Sequence, residues 1–173
     1  MKTLITGGQG LLGRELVRQL GAQAVPVDLP AFDITQRSLV RRVMRDLHPE
    51  AVINCAAYTR VDKAEQEPAL CTAVNADAVA HLAEACREAN CVLVQLSTDY
   101  VFGGDEQRTT PYAEEDQPAP QGAYARSKLA GEANAAAWEK HLIVRSCGLY
   151  GRSPRGDDFV ETMLRLGAEK GRV

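Results

Sequence analysis

A tyrosine and a lysine stand four residues apart at the start of an alanine-rich stretch, as Tyr124 and Lys128 in the segment YARSK. On a helix, residues at this spacing lie on the same face, one turn apart. A neighbouring ammonium group favours the phenolate and lowers the pKa of a phenol, so the pair is suited to proton transfer. An exposed aromatic residue beside an exposed cation is the alternative interpretation.

A glycine-rich segment, TGGQGLLG at residues 6–13, follows a predicted strand and precedes a predicted helix. Gly7, Gly10 and Gly13 have the spacing G-x-x-G-x-x-G, which lets a backbone turn tightly and approach a pyrophosphate at the helix N-terminus. Asp28 ends the second predicted strand, about 20 residues further on, where a carboxylate accepts hydrogen bonds from ribose hydroxyls and repels a 2′-phosphate. We therefore predict a dinucleotide site that prefers NADH, with NADPH as the second cofactor. A tight turn and an ordinary turn residue before Pro30 are the alternatives.

Polar residues end a third strand-like segment, CVLVQLS at residues 91–97, and continue through Thr98 and Asp99. Ligands of open α/β sheets bind at the carboxyl ends of the strands. We expect the Thr98 hydroxyl to join Tyr124 and Lys128 around the dinucleotide, where it can stabilise a developing negative charge.

The elements that must position these groups alternate along the chain. Strand-like runs at 2–6, 23–28, 51–57, 91–97 and 142–146 alternate with helical patterns at 11–20, 35–48, 68–88, from Tyr124 onward, and at 158–170. The order predicts an α/β fold, a doubly wound parallel sheet of Rossmann-like type. Pro26 places its strand at a sheet edge, and Thr35 is expected to cap a helix that Pro49 ends. The chain ends where another strand is expected, which indicates a truncated domain.

Composition excludes several classes of function. A formal net charge of −3 argues against nucleic-acid binding, and no segment resembles a secretory signal or a membrane span. Five cysteines without C-x-x-C spacing indicate free thiols in a cytoplasmic protein. The three histidines are scattered, so we expect no catalytic metal.

Four longer segments extend these motifs: CAAYTRVDKAE at 55–65, LSTDYVFGG at 96–104, PYAEEDQPAPQGAYARSKLAGE at 111–132 and RSCGLYG at 145–151. Together with the glycine loop they resemble the extended, nucleotide-sugar-modifying branch of the short-chain dehydrogenase/reductase superfamily. Within that branch they are similar to the dTDP-4-dehydrorhamnose reductase family. One departure is Gly148, which stands where this family often has a tryptophan that walls the sugar.

The resemblance implies reduction of the 4-keto group of a dTDP-linked 6-deoxy sugar by NAD(P)H. Tyr124 would protonate the carbonyl oxygen, Thr98 would hydrogen-bond it, and Lys128 would hold the nicotinamide ribose. The resemblance also implies a C-terminal substrate domain absent from residues 1–173, and it leaves a homodimer open. The further binding residues it implies are Gly10, Leu11 and Leu12 at the pyrophosphate, Asp33 and Ile34 at the adenine, Ala57, Tyr58 and Thr59 along the dinucleotide, and Val61, Thr98 and Asp99 at the sugar nucleotide.

Two alternatives stay open at this point. The first is another enzyme of the same branch, a nucleotide-sugar epimerase or dehydratase. The dehydratase motif is Thr-Asp-Glu, whereas this chain has Tyr100 in the third place, so the second carboxylate of a dehydratase is missing. The second alternative is a non-catalytic, dinucleotide-binding regulatory subunit resembling the methionine adenosyltransferase β subunit. The presence of Thr98, Tyr124 and Lys128 favours an enzyme.

Overall fold

A parallel sheet forms the centre of the computed structural model, which describes residues 1–105, 107–151 and 159–171. Within these residues the strands run in the order β2-β1-β3-β4-β5, and every neighbouring pair is parallel. The predicted doubly wound α/β class is thereby confirmed. The strands are β1 (Thr3–Thr6), β2 (Ala24–Val27), β3 (Ala51–Asn54), β4 (Val92–Thr98) and β5 (His141–Ser146).

Helices connect the strands. They are α1 (Leu11–Leu20), α2 (Arg37–Leu47), α3 (Val61–Ala64), α4 (Pro68–Thr72), α5 (Ala78–Ala89), α6 (Gly122–Ala136) and α7 (Phe159–Lys170). A π-helical turn, Ala73–Asp77, joins α4 to α5, so the helix predicted at 68–88 is interrupted in its middle. The short helix α3 was not predicted, and Asp158, the predicted start of the last helix, lies outside the described residues.

The main core lies between one face of the sheet and the helices α2, α5 and α6. Leu4, Val52 and Leu93, on three adjacent strands, are fully buried in it together with Val79 of α5. Ile5 is also fully buried but does not belong to this cluster. Successive side chains of a strand point to opposite faces, so Ile5 faces the other side of the sheet.

The ends of two elements show how local sequence shapes the fold. Pro26 lies in β2, an edge strand, as a residue without a backbone donor requires. Helix α2 ends at His48 in a left-handed conformation just before Pro49, as predicted. The prediction that Thr35 caps this helix is wrong: the cap is Gln36 without a side-chain bond, because the Thr35 hydroxyl donates to Asp33 Oδ1 at 2.7 Å.

The strand order fixes where a ligand can bind. After β1 the chain turns to β2 on one side, and after β3 it turns to β4 on the other side, so β1 and β3 flank the reversal of direction. Crevices at such switch points, at the carboxyl ends of the strands, are the ligand sites of open α/β sheets. In the part of the chain that the structure describes, no helix has the length and apolar character needed to cross a membrane, and the five cysteines are free.

Candidate functional site

A cleft of about 970 Å³ opens along the carboxyl ends of the strands. It extends from the glycine loop after β1 to the end of β5. Most of the residues predicted for the site line it: Gly7, Gly10, Leu11, Leu12, Gly13, Asp28, Asp33, Ile34, Ala57, Thr59, Val61, Thr98, Asp99, Tyr124 and Lys128. The fold therefore brings both ends of the predicted site into one continuous space.

The glycine loop is a close backbone contact at the start of α1. Gly7 has a φ of +63°, and its carbonyl accepts a hydrogen bond from the Gly10 N–H at 3.0 Å. A Cβ on Gly13 would lie 2.2 Å from the Gly7 oxygen, so no larger residue fits there. The loop thus forms a cradle at a helix N-terminus, the geometry that accepts a pyrophosphate.

Asp28 is fixed against the glycine loop. Its Oδ2 accepts a hydrogen bond from the Gln9 N–H at 2.8 Å, and its Oδ1 accepts one from the Leu29 N–H at 2.8 Å. A carboxylate held in this way keeps further lone pairs for ribose hydroxyls. Arg14 of α1 lines the same cleft, a cation that the sequence prediction did not consider because it lies just outside the loop.

A buried row of polar side chains crosses the sheet beneath the cleft. The Thr6 hydroxyl donates to Asn54 Oδ1 at 2.5 Å, and Asn54 Nδ2 donates to Gln95 Oε1 at 2.8 Å. Gln95 Nε2 then donates to the Leu96 carbonyl at 2.8 Å. The sequence prediction missed Asn54 and Gln95, although a polar residue inside an otherwise apolar strand was a signal that could have found them.

Lys128 continues this row into the cleft. Its Nζ donates to the Leu96 carbonyl at 2.6 Å, and the side chain is almost completely buried. Burial disfavours the charged amine and lowers the pKa of Lys128 to about 8, while Glu132 acts in the opposite direction.

Tyr124 lies one turn earlier on α6 and lines the same cleft. Burial raises the pKa of the Tyr124 phenol above its ordinary value, and its interaction with the Thr98 side chain opposes this rise. The sequence analysis expected Lys128 to lower this pKa. In the structure desolvation is the largest influence on this pKa, and the lysine ammonium donates to the Leu96 carbonyl.

Thr98 ends β4 and starts a short 3₁₀ turn, Asp99–Val101. Its Oγ1 accepts a hydrogen bond from the Tyr100 N–H at 3.2 Å and donates to Asp99 Oδ1 at 3.2 Å. The turn brings the Tyr100 ring edge-on to the Tyr124 ring, with centroids 6.0 Å apart. Tyr100, which replaces the glutamate of the dehydratase motif, is therefore a direct neighbour of the phenol.

The structure describes all the predicted site residues. Of these, Tyr58 does not line the cleft. Its hydroxyl donates to Glu67 Oε2 at 2.7 Å, and its ring packs on a small cluster with Cys71. Its backbone is held by Asn75 of the π-helical turn, with bonds of 2.9 Å and 3.0 Å. Asn75 also donates to Ser127 Oγ at 3.0 Å, which connects the loop after β3 to α6.

The residues of the cleft fit a dinucleotide on two observations. The glycine cradle leaves no room for a Cβ at Gly13, and Ser97, a residue of the cleft lining, has a buried hydroxyl without a partner among the described residues. An unpaired buried hydroxyl is costly unless a ligand satisfies it. The cleft can therefore accept an anion at the glycine loop, and two titratable groups, Tyr124 and Lys128, line its other end.

Comparison with known proteins agrees with this geometry. A dTDP-4-dehydrorhamnose reductase of Mycobacterium tuberculosis is 44% identical over 178 residues, covering 99% of this chain and 58% of that protein. The solved structure of such a reductase from Clostridium acetobutylicum has a TM-score of 0.92 at 41% identity, covering 98% of this chain and 60% of that one. The Bacillus anthracis reductase in complex with NADP has a TM-score of 0.91 at 41% identity, with 98% and 61% covered.

The chain thus spans about 58% of the length of the curated relative from Mycobacterium tuberculosis. The family model described as the RmlD substrate binding domain matches residues 1–173. The similarity inferred from the four sequence segments is confirmed. The chain belongs to the RmlD substrate binding domain family.

Proposed function

We propose that this chain is the NAD(P)-binding, Rossmann-like part of an enzyme that reduces the 4-keto group of a dTDP-linked 6-deoxy sugar. The observation that carries the proposal is the cleft itself. It joins the glycine cradle and Asp28 at one end to Thr98, Tyr124 and Lys128 at the other. The named relatives, dTDP-4-dehydrorhamnose reductases, support the substrate class.

Each group has a distinct task in this reaction. A reduced nicotinamide bound in the cleft would supply the hydride for the carbonyl carbon. Tyr124 donates its proton to the carbonyl oxygen, a role that suits a phenol whose raised pKa keeps it protonated at neutral pH. Thr98 hydrogen-bonds the same oxygen as negative charge develops on it. Lys128 binds the nicotinamide ribose.

Binding is divided along the cleft. The glycine loop, Gly7 to Gly13, holds the pyrophosphate, and Asp28 holds the adenosine ribose and favours NADH, with NADPH as the alternative. Asp33 and Ile34 lie by the adenine, while Ala57 and Thr59 line the dinucleotide; Tyr58, which does not line the cleft, takes no part. Val61, Thr98 and Asp99 contact the sugar nucleotide. Free cysteines agree with a cytoplasmic enzyme, and a homodimer stays a prediction.

The test uses the full-length protein with NADH and a panel of nucleotide-linked 4-keto sugars, while the absorbance of reduced nicotinamide is followed. We expect consumption of NADH with dTDP-linked 4-keto-6-deoxy sugars and none with the corresponding 4-hydroxy sugars. Binding of NADH without consumption with any sugar would contradict the proposal and favour the regulatory subunit. Release of water from a 4-hydroxy sugar would favour the dehydratase.

A further inference from the structure

A buried ion pair lies one helical turn beyond Lys128. Glu132 of α6 accepts two hydrogen bonds from Arg145 of β5, at 2.9 Å from Nε and 2.7 Å from Nη2. Glu132 is 4% exposed, so its charge is almost completely removed from water. A buried carboxylate requires such a partner, and a bidentate guanidinium fixes the plane of the carboxylate as well as its charge.

Arg145 is itself held from two more sides. Its Nη1 donates to the Glu114 carbonyl at 3.1 Å, and its guanidinium lies 4.9 Å from the centroid of the Phe102 ring. Phe102 in turn stacks on Tyr112 with centroids 4.5 Å apart. Because Arg145 is fixed by this surrounding loop, it holds the Glu132 carboxylate in one position.

Lys128 and Glu132 are four residues apart on α6, so their side chains lie on the same face of the helix. The titratable groups that act on Lys128 come from three elements: Glu132 on its own helix, Cys71 on α4 and Cys55 after β3. The neutral Leu96 carbonyl faces it from β4. Of these groups, Glu132 is the carboxylate, and it acts against the burial that disfavours the ammonium.

We propose that Glu132, clamped by Arg145, is a positioning residue that keeps the Lys128 ammonium charged at the cleft. Without the carboxylate, the nearly buried ammonium keeps its hydrogen bond to the Leu96 carbonyl but loses the attraction of a nearby negative charge, so it gives up its proton more readily. The inference rests on the proposed function for its consequence on turnover, but the charge of Lys128 can be measured independently of any reaction.

The test is a pH titration of the lysine side chains by NMR after labelling their ε-carbons with ¹³C. The chain has five lysines, so the Lys128 signal can be assigned by its loss in Lys128→Arg. We expect Glu132→Gln to move the Lys128 midpoint about one pH unit lower. An unchanged or higher midpoint would overturn the proposal.

A matched control and a second variant complete the design. Glu88→Gln removes the exposed pair with Arg41, between α5 and α2, and should leave the Lys128 midpoint unchanged. If Glu132→Gln does not fold, the double variant Glu132→Met with Arg145→Leu replaces the buried pair by apolar side chains, an exchange that buried pairs often tolerate. The Lys128 midpoint should fall there too, and a midpoint equal to that of the unmodified protein would overturn the proposal.

Turnover gives a separate readout in the full-length protein. If Lys128 must be charged for turnover, activity decreases as the pH rises through the pKa of Lys128. In Glu132→Gln this decrease should begin at a lower pH, and the shift should equal that of the NMR midpoint. A purely structural role would lower the rate at every pH without moving this decrease. If the unmodified protein reduces no keto sugar, the proposed function fails, while the NMR titration still decides the role of Glu132.

Discussion

The Lys128 ammonium donates a hydrogen bond of 2.6 Å to the backbone carbonyl of Leu96, the residue two positions before Thr98 on β4. The same carbonyl accepts a bond from Gln95, the last member of the polar row that starts at Thr6. The lysine is therefore positioned by the sheet, and its helix brings Tyr124 alongside. This relationship gives the first prediction, which concerns stability.

Lys128→Met should change how stability depends on pH. Lys128 has a pKa of about 8 in the native protein and an ordinary value of 10.5, so above pH 8 the unfolded chain binds more protons than the native one. Stability contributed by this site therefore rises with pH, by about 1 kcal/mol between pH 7 and pH 9. The methionine variant lacks this rise. The unfolding free energy of both proteins would be measured in urea at pH 7 and at pH 9. The value for the unmodified protein minus that for the variant should increase by this amount between the two pH values.

Comparing the two proteins removes the contributions that they share. Cys55 is shared only in part: burial raises the pKa of its thiol to about 11, which lowers stability at high pH in both proteins, and loss of the opposing Lys128 charge adds to this effect in the methionine variant. A difference in unfolding free energy that stays constant from pH 7 to pH 9 would show that Lys128 has an ordinary pKa in the native protein.

Tyr124→Phe should separate binding from chemistry. The variant loses the proton donor but keeps the ring that packs edge-on to Tyr100, so we expect turnover in the full-length protein to fall roughly 10²-fold or more. NADH affinity, measured by fluorescence titration, should stay within about twofold of the affinity of the unmodified protein. This corresponds to a change in binding free energy of about 0.4 kcal/mol or less. Turnover at the rate of the unmodified protein would remove Tyr124 from the proton-transfer step.

Asp28→Ala should change the choice of cofactor. In the proposed site the carboxylate repels a 2′-phosphate, and its removal leaves Arg14 lining the same cleft. We expect the ratio of kcat/KM for NADPH to that for NADH to rise roughly tenfold, equivalent to about 1.4 kcal/mol. Asp46→Ala, an exposed change on α2, is the control and should leave the ratio unaltered. A strong preference of the unmodified protein for NADPH would show that Asp28 does not set the cofactor preference.

Gly13→Ala should damage the glycine cradle. The new Cβ would meet the Gly7 oxygen at 2.2 Å, so the loop must move away from the position that fits a pyrophosphate. We expect at least a tenfold loss of NADH affinity and a destabilisation of about 1–3 kcal/mol, as for other overpacked sites. Gly103→Ala is the matched control, because Gly103 does not line the cleft and a Cβ there makes only ordinary contacts at 3.7 and 3.9 Å. Equal NADH affinity in both variants would exclude the loop as the pyrophosphate site.

Much of the architecture follows from residue patterns. Alternating apolar runs and helical periods predict the parallel sheet, because each strand must be covered by helices on its faces. The proximity of Gly7, Gly13 and Asp28 is predictable because all three belong to one short part of the fold. Gly7 lies in the turn between β1 and α1, Gly13 lies in the first turn of α1, and Asp28 follows the adjacent strand β2. Tyr124 and Lys128 are related by helical spacing alone.

Other features depend on competing local bonds or on contacts between distant segments and could not be predicted in this way. The Thr35 hydroxyl bonds Asp33 instead of capping α2, since a nearby carboxylate competes with the helix N-terminus. The π-helical turn places Asn75 against the backbone of Tyr58, a contact that no local period indicates. The pKa of Lys128 depends on how deeply the folded chain buries the amine, which spacing alone does not give.

The measurement that tests the proposed reduction most directly follows the hydride. The full-length protein would be incubated with NADH carrying deuterium at the transferable position and with a dTDP-linked 4-keto-6-deoxy sugar, and the product analysed by NMR. We predict a 4-hydroxy sugar with deuterium on C4, formed by the unmodified protein and lost with Tyr124→Phe. Oxidation of NADH with deuterium at another carbon, or NADH binding with no transfer of deuterium, would contradict a 4-ketoreductase.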